Sequence, residues 1–204
     1  MKLQEIYIDR DIIGIDKPSG LLSVPGRSPL KQDCLLHRVQ ACYPEALLVH
    51  RLDMDTSGVM LIARSLPMQR ALSGLFERRE IKKEYIAWVE GVVEQESGEV
   101  ELPLRKDMEQ SLPPRHIVDH QQGKPALTRW HVCERTQTRT RLALTPLTGR
   151  SHQLRVHMAE IGHPIVGDPI YGKQADRLWL HAQQLRFIHP TRQQTIELES
   201  PAPF

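Results

Sequence analysis

Nine consecutive residues, His50-Arg51-Leu52-Asp53-Met54-Asp55-Thr56-Ser57-Gly58, place a ring base, a cation, two carboxylates and two hydroxyls between apolar runs. Two readings fit this density. In one it is a polar turn, with Asp53 or Asp55 accepting hydrogen bonds from nearby amides. In the other a carboxylate is held at a strand end, available as a nucleophile or base. A second group, Thr148-Gly149-Arg150-Ser151-His152-Gln153-Leu154-Arg155, leaves a basic strand and opens a helix, where unpaired amides favour anions. Arg150 and Arg155 are five residues apart and need not share a helical face, so each can orient a different carboxylate or phosphate. Two arginines beside a helix N-terminus oppose the macrodipole, which fits plain surface charge poorly.

Other combinations point less far. His116-Ile117-Val118-Asp119-His120 has the spacing of some zinc sites but lacks the H-E-x-x-H glutamate and follows Pro113-Pro114. Gly26-Arg27-Ser28 is too short for a phosphate-cradling loop, no G-x-S-x-G elbow occurs, and no G-x-G-x-x-G occurs. Cys34, Cys42 and Cys133 form an odd set without C-x-x-C spacing, as expected of reduced, partly buried thiols.

The elements that must position these groups can be read from periodicity. Ile12-Ile13-Gly14-Ile15 has the β-branched density of a strand, ended by Lys17-Pro18-Ser19-Gly20. Asp33 is placed to cap a short helix carrying Leu35, Leu36, Val39 and Tyr43, stopped by Pro44. Val59 to Ala63 suits a strand buried on both faces. Ser65 then caps a helix with Pro67 in its first turn and Met68, Leu72, Leu75 and Phe76 on one side, up to about Arg79. Strands are expected over 84–89, 127–134 and 139–144, the last with arginines alternating against Thr140, Leu142 and Leu144. A helix is expected from about Ser151 to Ile161, ended by Gly162. Further strands fall at 178–182, 185–188 and 195–198, and 105–124 reads as a surface loop. Strands outnumber helices without regular alternation, so the expected class is α+β, on a mixed, mainly antiparallel sheet with flanking helices and loops.

With 204 residues, 40% hydrophobic and 25% charged, the chain is expected to form one domain spanning residues 1–204. No stretch approaches a membrane span and the start lacks an apolar leader, so the expected location is cytoplasmic. Net charge is only +2, from nineteen arginines and eight lysines against 25 acids. The charges are unevenly placed along the chain. Residues 129–158 hold six arginines and one glutamate, whereas 84–109 hold eight acids, Arg105 and Lys106. Such a split would let one face meet a polyanion while another repels it, although charge-rich strands are often simply solvated faces.

The ordered blocks resemble the RluA-type pseudouridine synthases. The resemblance rests on His50-Arg51-Leu52-Asp53 with Thr56-Ser57-Gly58, Leu61 and Ala63, then Lys83-Glu84-Tyr85-Ile86-Ala87, then Gly149 to Arg155. It continues through Gly162-His163-Pro164-Ile165, Gly167-Asp168, Tyr171-Gly172 and Leu180-His181-Ala182, covering the chain from about Ile12 onward. Leu154 stands where isoleucine is usual, a conservative change. Lys17 to Arg27 resembles a branch of the family that acts on a uridine in 23S rRNA and one in the tRNA anticodon loop.

This resemblance implies a single RNA uridine isomerase domain, with no S4-like RNA-binding module before it. Asp53 takes the catalytic role, either attacking the sugar C1′ or assisting glycal formation. Tyr85 packs against the target base, Arg155 forms an ion pair that orients Asp53, and Arg51 fills the gap left by the extruded base. His50, Thr56, Arg150, His152 and Gln153 are implied as further RNA contacts. Isomerisation needs no metal, nucleotide or redox cofactor. The implied partner is an rRNA or tRNA stem-loop, with no membrane or DNA partner and a monomeric enzyme. A catalytically silent RNA-binding protein on the same scaffold is the alternative, which the retained Asp53, Tyr85 and Arg155 disfavour; a metal-dependent hydrolase lacks a ligand set.

Overall fold

In chain order the strands are β1 (Gln4–Ile8), β2 (Ile12–Lys17), β3 (Leu47–Leu48), β4 (Ser57–Ala63), β5 (Lys82–Glu90), β6 (Ser97–Glu101), β7 (Leu104–Lys106), β8 (His116–Val118), β9 (Leu127–Arg135), β10 (Arg139–Pro146), β11 (Leu180–Ile188) and β12 (Thr195–Glu199). The helices are α1 (Leu35–Gln40), α2 (Leu66–Glu77) and α3 (Gln153–Glu160). The computed structural model describes residues 3–26, 28–110 and 113–204, so Arg27 of the Gly26-Arg27-Ser28 segment lies outside the described residues. Backbone contacts divide the chain into two units, one of residues 3–83 with 181–203, the other of 84–180 with Phe204.

In the first unit the apolar run predicted at 59–63 becomes β4, whose seven residues are all buried. It pairs antiparallel with β2, which pairs with β1, and parallel with β11 through Ser57–His181 and Gly58–Ala182. The parallel pair requires glycine at 58. The backbone there has φ +114°, and a Cβ would lie 2.2 Å from the carbonyl oxygen of Ala182. Helix α2 covers β4 with Met68 and Leu72, capped by the Ser65 hydroxyl accepting from the Met68 amide, as its sequence predicts.

In the second unit β5, β10, β9 and β6 form a consecutive antiparallel sheet. One face, with Ala87, Val89, Trp130, Leu142 and Leu144, packs against Leu154 and Met158 of α3. The fold class is therefore α+β with a mixed, mostly antiparallel sheet, as its sequence predicts.

Several expectations need correction. Helix α1 is capped by Cys34 rather than Asp33, which is drawn into an ion pair with Arg38 at 2.6 Å, and the helix ends before Tyr43. The stretch 105–124 is no open loop: β7 and β8 form a two-stranded ladder. Helix α3 begins at Gln153 because His152 takes a left-handed conformation, φ 55°. Strands β1 and β6 lie outside the expected elements; each has three of its five residues exposed. The two runs at 178–182 and 185–188 merge into β11.

The charge blocks do not form opposed faces. Strand pairing brings them together, with Arg129 to Glu99, Arg135 to Glu96 at 2.9 Å and Arg139 to Glu90 at 3.7 Å, while Arg155 pairs with Asp168. Segregation along the chain becomes neutralisation across the β6–β9 and β5–β10 ladders.

The segment carrying Asp53 is held by the turn after β2. Lys17, with no exposed surface, donates from Nζ to the carbonyls of Pro18 at 2.9 Å, Leu21 at 2.7 Å and Met54 at 2.9 Å. The Gly20 amide donates to the same Met54 carbonyl, and Ser19 Oγ donates to Asp55 O at 2.7 Å. On the other side of Asp53, Ser23 Oγ donates to Leu52 O at 2.7 Å and accepts from Leu52 N at 3.1 Å. Burial pushes the Lys17 ammonium down to about 8, against the opposing pull of Asp55, Asp53 and Asp16. Lys17→Met should keep the volume but take the ammonium away from three carbonyls, of which only Met54 O keeps another donor, the Gly20 amide, costing about 3 kcal/mol. The urea midpoint checks this; an unchanged midpoint would show that the ammonium does not hold the turn together.

Candidate active site

Asp53 is half-buried between two backbone groups, Leu52 and Met54, that are both fixed by the 17–23 turn. Arg51, two residues earlier, is exposed and makes no hydrogen bond or ion pair with the described residues. A carboxylate on a braced backbone beside an uncommitted planar cation fits a reactive group next to a polyanion contact.

His50 and Thr56 occupy different surroundings from those implied. His50 Nε2 accepts the Leu61 amide at 2.9 Å, and its ring lies 4.5 Å from that of Phe76. Burial, with the charge of Lys83, pushes this imidazole down to about 3, so it is neutral and serves as a brace for β4. Thr56 is 3% exposed. Behind it, Ser57 Oγ lies 2.9 Å from His181 Nδ1, and His181 Nε2 lies 2.8 Å from the Ser200 carbonyl. The carbonyl can only accept, so Nε2 carries the proton and Nδ1 accepts from Ser57.

Tyr85 in the second unit is half-buried on β5, opposite Leu144, and packs against the apolar cluster there. Arg155, 3% exposed, forms a bidentate pair with the fully buried Asp168, Nε to Oδ2 at 2.7 Å and Nη2 to Oδ1 at 2.8 Å. Gln153 is 4% exposed and fully used within the protein. Its Oε1 accepts from Thr148 Oγ1 and the Arg150 amide, and its Nε2 donates to Leu127 O and Thr128 Oγ1. It shapes the Thr148–His152 turn. Arg150 is half-buried, with Nε donating to Pro125 O at 3.1 Å. His152 is half-buried, with Nδ1 2.8 Å from the Tyr171 hydroxyl. His116 lies on β8 and His120 in the following turn, so their spacing places no pair on a helix face.

Sequence reasoning assigned no role to Lys17, Asp168, Tyr171 or His181. Lys17 carried a signal, since strand alternation puts it on the same face as buried Ile13 and Ile15. The other three lie in the quoted blocks, but their contacts depend on chain reversals that spacing does not reveal.

The chain matches the RNA pseudouridylate synthase family over residues 11–160. It is 45% identical over 208 residues to the dual-specificity RNA pseudouridine synthase RluA of Pasteurella multocida (strain Pm70), covering 99% of this chain and 94% of that protein. It is 44% identical over 205 residues to the protein of the same name from Escherichia coli (strain K12), covering 98% and 93%. The solved structure of human RNA Pseudouridylate Synthase Domain Containing 1 is similar with a TM-score of 0.84 and 28% identity, over 100% of this chain and 84% of that one. With the fold, the ordered motifs and near-full-length relatives in agreement, this chain belongs to the RluA branch of the RNA pseudouridine synthases, and is an isomerase acting on RNA.

Proposed function

We propose that this enzyme converts uridine to pseudouridine in stem-loops of both 23S rRNA and the tRNA anticodon loop, with Asp53 as the catalytic carboxylate. The observation that carries the reading is the braced Leu52-Asp53-Met54 backbone beside an exposed, unpaired Arg51. The name dual-specificity, borne by relatives matched over nearly their whole length, supports two classes of RNA target.

In this reaction the bond from uracil N1 to C1′ breaks, with Asp53 attacking C1′ or assisting glycal formation. The detached uracil turns, C5 bonds to C1′, C5 loses its proton and N1 gains one. The base balance is zero, so the chemistry calls for no cofactor. Tyr85 supplies a ring face for the base and a hydroxyl near the C5 proton, and Arg155 serves Asp53. The uridine must leave its stack, and the Arg51 guanidinium fills the space and meets phosphate. Arg150 and His152, at the mouth of α3, add RNA contacts. The enzyme works as a cytoplasmic monomer. No helix among the described residues is long and apolar enough to cross a membrane.

Asp53→Asn preserves shape and removes the ionisable group. It should abolish isomerisation while RNA affinity stays within about threefold of the parent, since each tenfold in affinity would need about 1.4 kcal/mol of lost contact. Pseudouridine formation within tenfold of the parent rate would point instead to the silent RNA-binding reading.

Arg51→Ala should lower the single-turnover rate far more than RNA affinity, because extrusion costs a few kcal/mol, of the order reported for flipped bases, and the cation acts after extrusion. A pure affinity defect with an unchanged rate at saturating enzyme would overturn that role.

Isolated stem-loops cut from the dependent sites should be sufficient substrates, because single-stranded loops expose splayed bases for local reading. Pseudouridine mapping of total RNA from cells lacking the protein identifies those sites. Modification only of intact particles or full-length RNA would require a distant contact surface.

A further inference from the structure

The turn Gly167–Gly172 builds a seat around Arg155. Asp168 Oδ1, besides accepting from Arg155, accepts from the amides of Ile170 at 2.9 Å and Tyr171 at 3.1 Å. Burial alone would raise this carboxyl, but hydrogen bonding and charge from Arg155, with those two amides, hold it below the ordinary carboxylate range. It is therefore ionised beside the cation. The Tyr171 ring faces the Arg155 guanidinium, 5.2 Å from ring centre to Cζ.

Tyr171 is itself fixed at its far end. Its hydroxyl accepts from the His116 amide of β8 at 2.7 Å and pairs with His152 Nδ1 at 2.8 Å. His152 holds a left-handed backbone, φ 55°, where a non-glycine residue is strained. The ring and backbone of Tyr171 thus tie the β7–β8 ladder, the start of α3 and the Asp168 turn to one guanidinium.

Arg155 gives two of its five N–H groups to Asp168. Its charge is already balanced at 2.7 Å. A second carboxylate bonded to it gains orientation, while the field that would make that carboxylate a weaker base is largely cancelled. We propose that Asp168 and Tyr171 are positioning residues for pseudouridine formation, holding Arg155 and balancing its charge so that it orients the catalytic carboxylate without quenching its reactivity. This rests on the reading that Arg155 serves Asp53.

The test compares Asp168→Asn, Tyr171→Phe and Arg155→Ala in single-turnover pseudouridine formation over a range of pH, with RNA binding and thermal melting measured alongside. Asp168→Asn leaves the cation unbalanced, so the plateau rate should fall by about a hundredfold and the acid limb should move to lower pH. Tyr171→Phe keeps the ring face but unties it, so a loss of about tenfold is expected with unchanged RNA affinity and only slightly lower melting. Should Asp168→Asn fail to fold, Tyr171→Phe decides alone. Loss in Arg155→Ala with parental rates in both other variants would overturn the seat while leaving the role of Arg155 intact. A slow but unshifted pH profile in a folded Asp168→Asn would also overturn it, as would a Tyr171→Phe that only melts earlier. A parental rate in Arg155→Ala would remove the reading beneath the proposal.

Discussion

A buried ammonium is the constraint on which the segment around Asp53 depends. Charge without water is costly, and Lys17 is tolerated because three backbone carbonyls saturate its donors and three carboxylates lie within its field. Those carbonyls belong to two separate stretches of chain, and the ammonium is satisfied only when both are in place. Serine hydroxyls from the same turn complete the bracing on either side of Asp53. The Asp53 side chain is therefore mounted on the least negotiable part of its unit, while Arg51 is left outside the brace.

The second unit solves a similar problem with opposite signs. Arg155 is withdrawn from water and compensated by Asp168, and both are ordered by amides and by an aromatic ring that is anchored elsewhere. In each unit a buried charge fixes geometry through contacts to separate stretches of chain. The residues that carry such charges look unremarkable as isolated letters: a lysine before a proline and an aspartate after a glycine.

That explains where sequence reasoning reaches and where it stops. Strand β4 and helix α2 follow from local rules, an unbroken apolar run and a serine cap with helical spacing, and both form as read. The start of α3 is displaced because His152 is held by Tyr171, nineteen residues away. The aspartate expected to cap α1 loses that task to Cys34, since an arginine one turn on captures it. Gln153 and Thr56 sit in blocks rich in polar groups, yet side-chain direction, which the pattern does not encode, turns both inward. The motif blocks reveal the reaction because they carry the chemical groups; they do not reveal which groups face solvent and which brace the frame.

The interlocking of acidic and basic strands also bears on how the enzyme searches for its substrate. Arg129, Arg135 and Arg139 already have carboxylate partners, so a passing phosphate must displace a tethered competitor before it gains a contact. Counterion release, the usual source of sequence-blind adhesion, is correspondingly small for these residues. These three arginines therefore add little to the dwell time on bulk RNA.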